Sequence, residues 1–273
     1  MHIGEVFRAL HLRGAPFVLA NAHDIGSAKV LTALGAEAIG TTSNGHAYTL
    51  GRPDMGNVTR DEALAQAQDI VAATHLPVSG DFENGYGDDP ETVAETIRLS
   101  AEIGLAGVSI EDTDMSDRGF YDFDLAVERI KAAVSAARAL PHDFVLVARA
   151  DGMMNDVYNM EEALRRLRAF DAAGADCLYA PMPPSLDDVQ RLIDCTDKPV
   201  NVLAVGRFAK TTRAEYAAMG VARISLGSGL ARVSTGALIN AARAILSEGD
   251  LTDILTAAST PDIEALLLKD QPL

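Results

Sequence analysis

The chain has 273 residues, 48% of them apolar, with 39 acidic against 23 basic side chains and a formal net charge of −16. That length suits one large domain with a full core, and the acidic balance argues against a nucleic-acid surface, which needs clustered Lys and Arg to neutralise phosphates. The two cysteines, Cys177 and Cys195, make no zinc or C-x-x-C spacing, the N-terminus lacks the pattern of a signal peptide, and no apolar run approaches the ~18 residues of a membrane span, so a reducing cytoplasm is the expected setting.

In chain order, a helix is expected at 3–12, before the first strand. Apolar, β-rich runs then recur near 16–20 (PFVLA), 37–42 (EAIGTT), 77–81 (PVSGD), 107–111 (GVSIE), 144–149 (FVLVAR), 176–180 (DCLYA), 199–204 (PVNVLA) and 222–226 (ARISL). Between them lie segments of helical apolar spacing, such as 61–74 and 91–103. Gly35, Gly104, Gly174 and Gly220 each stand two or three residues before a strand, where a left-handed residue closes the preceding helix. This alternation predicts a parallel sheet closed into a (β/α)8 or TIM barrel, one domain over residues 1–273, with a doubly wound open sheet as the alternative. One or two short helices over 250–270 follow the eighth unit, where terminal helices often pack between subunits.

In a barrel, the active site lies at the C-terminal ends of the strands, and here those ends are polar. Strand 1 runs into Asn21 and Asp24, strand 2 into Ser43, Asn44, Gly45 and His46 with Asp54 further along, and strand 3 into Asp81 and Glu83. Strand 4 gives Glu111 and Asp112, strand 5 gives Arg149 and Asp151, and strand 7 carries Asn201. Clustered carboxylates repel unless a cation or protons compensate, and oxygen-only ligands favour a hard ion such as Mg²⁺, which keeps several waters. On this reading Asp81 binds the metal directly while Glu83 and Glu111 hold its waters; on the other, strand-end acids such as Asp24, Asp89 and Asp112 cap the following helices. Arg149 is read as a bidentate clamp for a carboxylate or phosphonate, with a salt bridge as the alternative. His46 is read as a packing residue.

The pieces NAHDIGSA (21–28), GTTSNGHAYTLGRPD (40–54), GDFENGYG (80–87), SIED (109–112), VARAD (147–151), NVLA (201–204) and ARISLGSGL (222–230) together resemble the isocitrate lyase/phosphoenolpyruvate mutase superfamily. The resemblance implies a Mg²⁺-dependent barrel enzyme (Mn²⁺ as a substitute) that makes or breaks a C–C or P–C bond beside a 2-oxo acid. It also implies a homotetramer, a dimer of dimers in which the last barrel helix is exchanged between neighbours. By motif, Asp81 matches the direct metal ligand, and Asp54, Glu83 and Glu111 match the acids that hold the metal through water. Ser43 and Gly45, with Asn44 between them, match the binders of the oxo-acid end, Arg149 the grip on the second anion, and Asn201 a polar substrate contact. The catalytic assignments are Asp54, Glu111 and Arg149.

One departure shapes the functional expectation. Lyases of the isocitrate type carry a catalytic cysteine in a loop after strand 4, but residues 113–123 here contain none. That loop holds Asp114, Ser116, Asp117, Arg118 and Tyr121, with Gly119 as a hinge. Decarboxylating a small 2-oxo acid such as oxaloacetate needs only enolate stabilisation, and this reaction leads. A C–C lyase of the methylisocitrate or dimethylmalate type, with Tyr121, Asp114 or Ser116 as substitute acid, follows, and then a P–C bond enzyme. Outside the class stand a Schiff-base aldolase, for which no lysine ends a strand, and a non-catalytic binding barrel.

Overall fold

The computed structural model describes residues 2–116 and 119–269; Asp117 and Arg118 lie outside the described residues. Eight parallel strands close into a barrel in chain order: β1 (Phe17–Asn21), β2 (Ala38–Gly40), β3 (Val78–Asp81), β4 (Gly107–Glu111), β5 (Val145–Arg149), β6 (Cys177–Tyr179), β7 (Val200–Leu203) and β8 (Arg223–Ser225). Each expected strand is present within a residue or two of its place. Gly35, Gly104, Gly174 and Gly220 all take positive φ, between 90° and 102°, a conformation in which a side chain would strain the turn into the next strand.

Alternating residues divide each strand between two environments. Phe17, Leu19, Val145, Val147, Cys177 and Tyr179 point into the barrel, where they form a cluster with Phe7. Phe7 comes from the N-terminal helix Ile3–Leu10, which closes the end of the barrel opposite the strand C-termini. Arg8 fastens that helix: Nε meets Asp143 at 2.6 Å and NH1 meets Asp176 at 2.7 Å, both acids preceding strands. Residues of the other parity, among them Ile39, Ile110 and Leu146, pack outward against the surrounding helices.

The C-terminal part behaves differently. The helix Gly229–Arg243 follows β8, yet Ala231 is its single buried residue. A short 3₁₀ turn, Thr252–Thr256, and the helix Thr260–Leu268 come next, matching the expected terminal helices. Phe7 is fully buried at the plugged end, so Phe7→Ala should cost about 3–5 kcal/mol of stability. Denaturant titration should show that loss.

Candidate active site

A cavity opens at the C-terminal ends of the strands, bordered by Asn21, Ser43, Asn44, Asp54, Asp81 and Arg149 among others. Arg149, at the end of β5, is its electrostatic centre. NH1 binds Asp81 Oδ1 at 2.6 Å, NH2 binds Asp151 Oδ2 at 2.6 Å and Glu111 Oε2 at 3.0 Å, and Nε adds a 3.1 Å bond to Asp151 Oδ1. Glu111 and Arg149 are direct register partners across β4 and β5, so sheet geometry alone brings them together. The guanidinium also lies 5.1 Å from the Tyr179 ring centroid. The salt-bridge alternative for Arg149 is therefore present in the structure.

Asp81 is held from its other side as well. Its Oδ2 accepts from the Ser43 amide (3.0 Å) and hydroxyl (3.1 Å), and its own amide donates to Thr41 Oγ1 at 2.8 Å. Glu83 has φ +46°, inside the left-handed region. Its Oε1 accepts a 3.4 Å bond from Gly56 N, while Oε2 is buried without a partner among the described residues. Burial, reinforced by Asp54 and Asp81, pushes the Glu83 carboxyl up to about 7. Burial likewise raises Asp54, with repulsion from Asp81 adding to it, and raises Glu111 despite Arg149. The acids crowd one another in a dry site and are short of positive charge.

These residues fit a divalent cation. The donors are carboxylate oxygens, and one of them, Glu83 Oε2, is buried and unmet. Among the described residues no group of three His, Cys, Asp or Glu side chains is placed to hold a metal by itself; a hard ion among oxygen donors would keep waters in its shell. That is the habit of Mg²⁺ rather than of a structural zinc.

Some expected site residues do not border the cavity: Glu83 and Glu111 are buried outside its lining, as are Gly45 and Asn201. Gly45 is buried behind the lining; its amide donates to Thr42 Oγ1 at 3.3 Å, and a Cβ would stand 2.6 Å from Thr42 and 2.9 Å from His23. Asn201 is buried beside the cavity rather than in its lining, donating to Ser225 Oγ at 2.9 Å. His46 is buried, as a packing residue should be.

Asp24 and Asp89 do cap helices, but Asp112 does not. Buried at 3% exposure, it accepts from Asp151 N, Tyr158 Oη and Arg166 NH1 at 2.8–2.9 Å, tying the loops after β4 and β5 together. Tyr121 is locked away from the cavity: its hydroxyl donates to Asp88 at 2.7 Å, accepts from Asn84 at 2.8 Å, and its ring lies 4.0 Å from Arg129. Asp114 accepts two bonds from Ser116. Cys177 is fully buried inside the barrel, its thiol pushed up to about 12 by burial, and neither cysteine nor any lysine borders the cavity.

Sequence reasoning missed Arg223 and Tyr179, both of which line the cavity. The signal was parity. Arg223 stands two residues before Ser225 and so shares its inward face. A charged residue at the start of a strand reads more readily as surface.

Comparison with known proteins agrees with this architecture. The family model for phosphoenolpyruvate phosphomutase matches residues 7–246. A solved structure from Burkholderia cenocepacia J2315, carrying only a provisional lyase/mutase label, superposes with a TM-score of 0.93 at 43% identity, covering 98% of this chain and 96% of that one. The 2,3-dimethylmalate lyase of Eubacterium barkeri is 32% identical over 213 residues, 74% of this chain and 72% of its own. The oxaloacetate decarboxylase of Chromohalobacter salexigens is 31% identical over 223 residues, 79% and 75% respectively. An eight-stranded barrel with an acid cluster gathered on one strand-end arginine, matched over most of its length by these relatives, identifies the chain as a member of the phosphoenolpyruvate mutase family, within the isocitrate lyase/phosphoenolpyruvate mutase superfamily of enzymes.

Proposed function

We propose that this enzyme is a Mg²⁺-dependent, cytoplasmic lyase of small anionic 2-oxo acids, and that decarboxylation of an oxaloacetate-like substrate is its reaction. The observation that carries this reading is the composition of the cavity wall: carboxylates, hydroxyls and arginine are present, while thiol and lysine are absent among the described lining residues. Mg²⁺ bound there would draw electron density from the 2-oxo acid and offset the negative charge that develops during bond cleavage. Asp81 would hold the metal, with Glu83, Glu111 and Asp54 holding its waters. Ser43 and Asn44 would orient the oxo-acid end. Arg149 would turn to the substrate as Asp81 and Glu111 are engaged elsewhere.

In decarboxylation the bond between C3 and the departing carboxylate breaks, its electron pair passes into the enolate, and C3 later takes a proton from water. No acid is needed on the leaving group, which matches a wall without a thiol and with Tyr121 held away from it. A second reading, cleavage of a dimethylmalate-like C–C bond, is supported by the 32% identical lyase. A P–C bond reaction is supported by the family description and by a 36% identical structure with a provisional phosphonomutase label. A substrate panel of oxaloacetate, dimethylmalate, methylisocitrate and phosphonopyruvate with Mg²⁺ separates them; turnover of dimethylmalate but not oxaloacetate would replace the first reading with the second.

We also propose that a second copy covers the C-terminal face, giving a homo-oligomer. Val233, Leu238, Leu246, Leu251 and Leu255, all in the segment after β8, are each at least 65% exposed, and exposed apolar side chains gathered on one segment mark an interaction surface.

Asp81→Ala should abolish Mg²⁺ binding by calorimetry and all turnover while circular dichroism stays that of the wild type; retained affinity would remove Asp81 from the metal. Arg149→Lys keeps the charge but loses the planar fork, and kcat/KM should fall at least ~10-fold, the loss of more than ~1.4 kcal/mol of transition-state binding. Light scattering should find an oligomer in the wild type. The double change Leu246→Asp and Leu255→Asp should shift it toward monomer.

A further inference from the structure

A second recess adjoins the active site. It is formed by the loops that follow β5 and β6 and by the turn Gly206–Lys210 after β7, and Met154 borders both it and the active-site cavity. Four of the protein's eight methionines, Met153, Met154, Met160 and Met182, gather there with Val157 and Pro184. Its volume is about 1010 Å³, against about 160 Å³ for the cavity itself. Ligand sites commonly run from about 300 to 1,000 Å³, so the cavity alone is small and the recess is the space into which a larger ligand would extend.

Several polar groups of this wall are engaged with the protein itself. Asn159 caps the helix Met160–Ala173 by accepting from the Glu161 and Glu162 amides. Glu162 is paired with Arg165 and Arg166, and Arg207 donates to the Pro184 carbonyl at 2.6 Å. Apolar groups meanwhile stand open to water: Met154 is 40% and Val157 53% exposed. The backbone is constrained as well. Asp156, which is exposed, and Met182 hold left-handed φ values of +56° and +55°, a strained conformation that persists where the surrounding structure imposes it and that collects at ligand sites. At Met182 the strain keeps a thioether where glycine would sit without cost.

We propose that this recess receives an unbranched apolar chain of the substrate, so that the enzyme prefers 2-oxo acids carrying an alkyl tail at C3 over the bare acid. This rests on the reading of the cavity as a 2-oxo acid site. The acid end stands in the cavity, and the tail passes over Met154 into the methionine-lined space. Methionine suits such a wall, since its unbranched, polarisable side chain adapts to chains of different length. Each methylene taken out of water adds roughly fourfold to affinity.

Calorimetry with pyruvate and 2-oxooctanoate in the presence of Mg²⁺ tests it; the second is the product that decarboxylation of 3-pentyloxaloacetate would release. 2-Oxooctanoate should bind at least ~10-fold tighter than pyruvate, a gain that two buried methylenes suffice to give. The double change Val157→Asn and Met182→Gly removes apolar wall on two sides of the recess, and glycine relieves the backbone at 182. It should weaken 2-oxooctanoate at least ~5-fold and leave pyruvate, which does not reach the recess, within about twofold. If the double variant does not fold, Val157→Asn alone, at an exposed position, decides the question with the same sign.

Equal affinity of the wild type for the two acids would overturn the tail site and leave the 2-oxo acid reading standing. Wild-type affinity for 2-oxooctanoate in the variant, or equal losses for both acids, would overturn it as well. So would a shift of the variant toward monomer in light scattering, which would give the recess to a second copy of the chain. If neither acid binds the wild type, the 2-oxo acid reading fails and takes the tail site with it. If 2-oxooctanoate binds tightly and the variant loses it, yet 3-pentyloxaloacetate is not decarboxylated, the tail site stands and the decarboxylation reading falls.

Discussion

The arrangement of the strand ends depends on one guanidinium. Asp81, Glu111 and Asp151 come from three different strands or their immediate ends, and each points at Arg149. In a low-dielectric pocket, like charges at such spacing would drive one another to take up protons or swing apart. The arginine keeps them gathered and aimed inward before any ligand arrives. This is preorganisation in the electrostatic sense: reorganisation is completed during folding rather than during the reaction.

The cost of that arrangement is visible around it. Glu83 and Asp54 lie beyond direct reach of the guanidinium in this structure, and burial raises both. The backbone shows the same pressure. All the non-glycine residues with positive φ among those described, namely Met55, Glu83, Tyr86, Asp156 and Met182, lie in loops that follow the C-terminal ends of strands. Strain of this kind persists where the surrounding structure over-determines it, and it collects at functional mouths. The plugged end of the barrel shows no such residue among those described. There Phe7 and the Arg8 ion pairs close the structure by ordinary packing.

Much of the fold was legible because it rests on short-range rules. Short apolar, β-rich runs mark the strands, and glycines such as Gly174 mark the helix ends. The acids at the mouth were legible too, since a strand that ends in a carboxylate points it at the site. Contacts between distant loops were not. Nothing local in ED at 111–112 says that Glu111 turns to Arg149 while Asp112 turns to Arg166, and nothing in the short loop says that Tyr121 folds back onto Asp88. Arg223 escaped for a different reason: only the register across the closed barrel shows how deep the first residue of β8 lies.

Asp112 has a wider meaning for this architecture. Its bonds to the Asp151 amide, Tyr158 and Arg166 are made outside the cavity, behind the residues that face it. The loops that follow β4 and β5 are thus riveted together by a joint that takes no part in recognising a ligand. A lineage can exchange side chains on the cavity wall, one at a time, without loosening that joint or the position of Arg149 above it. Relatives with different substrates on a shared barrel are what such a division of labour allows: the joint conserves the aim of the site, and drift is confined to what the site is aimed at.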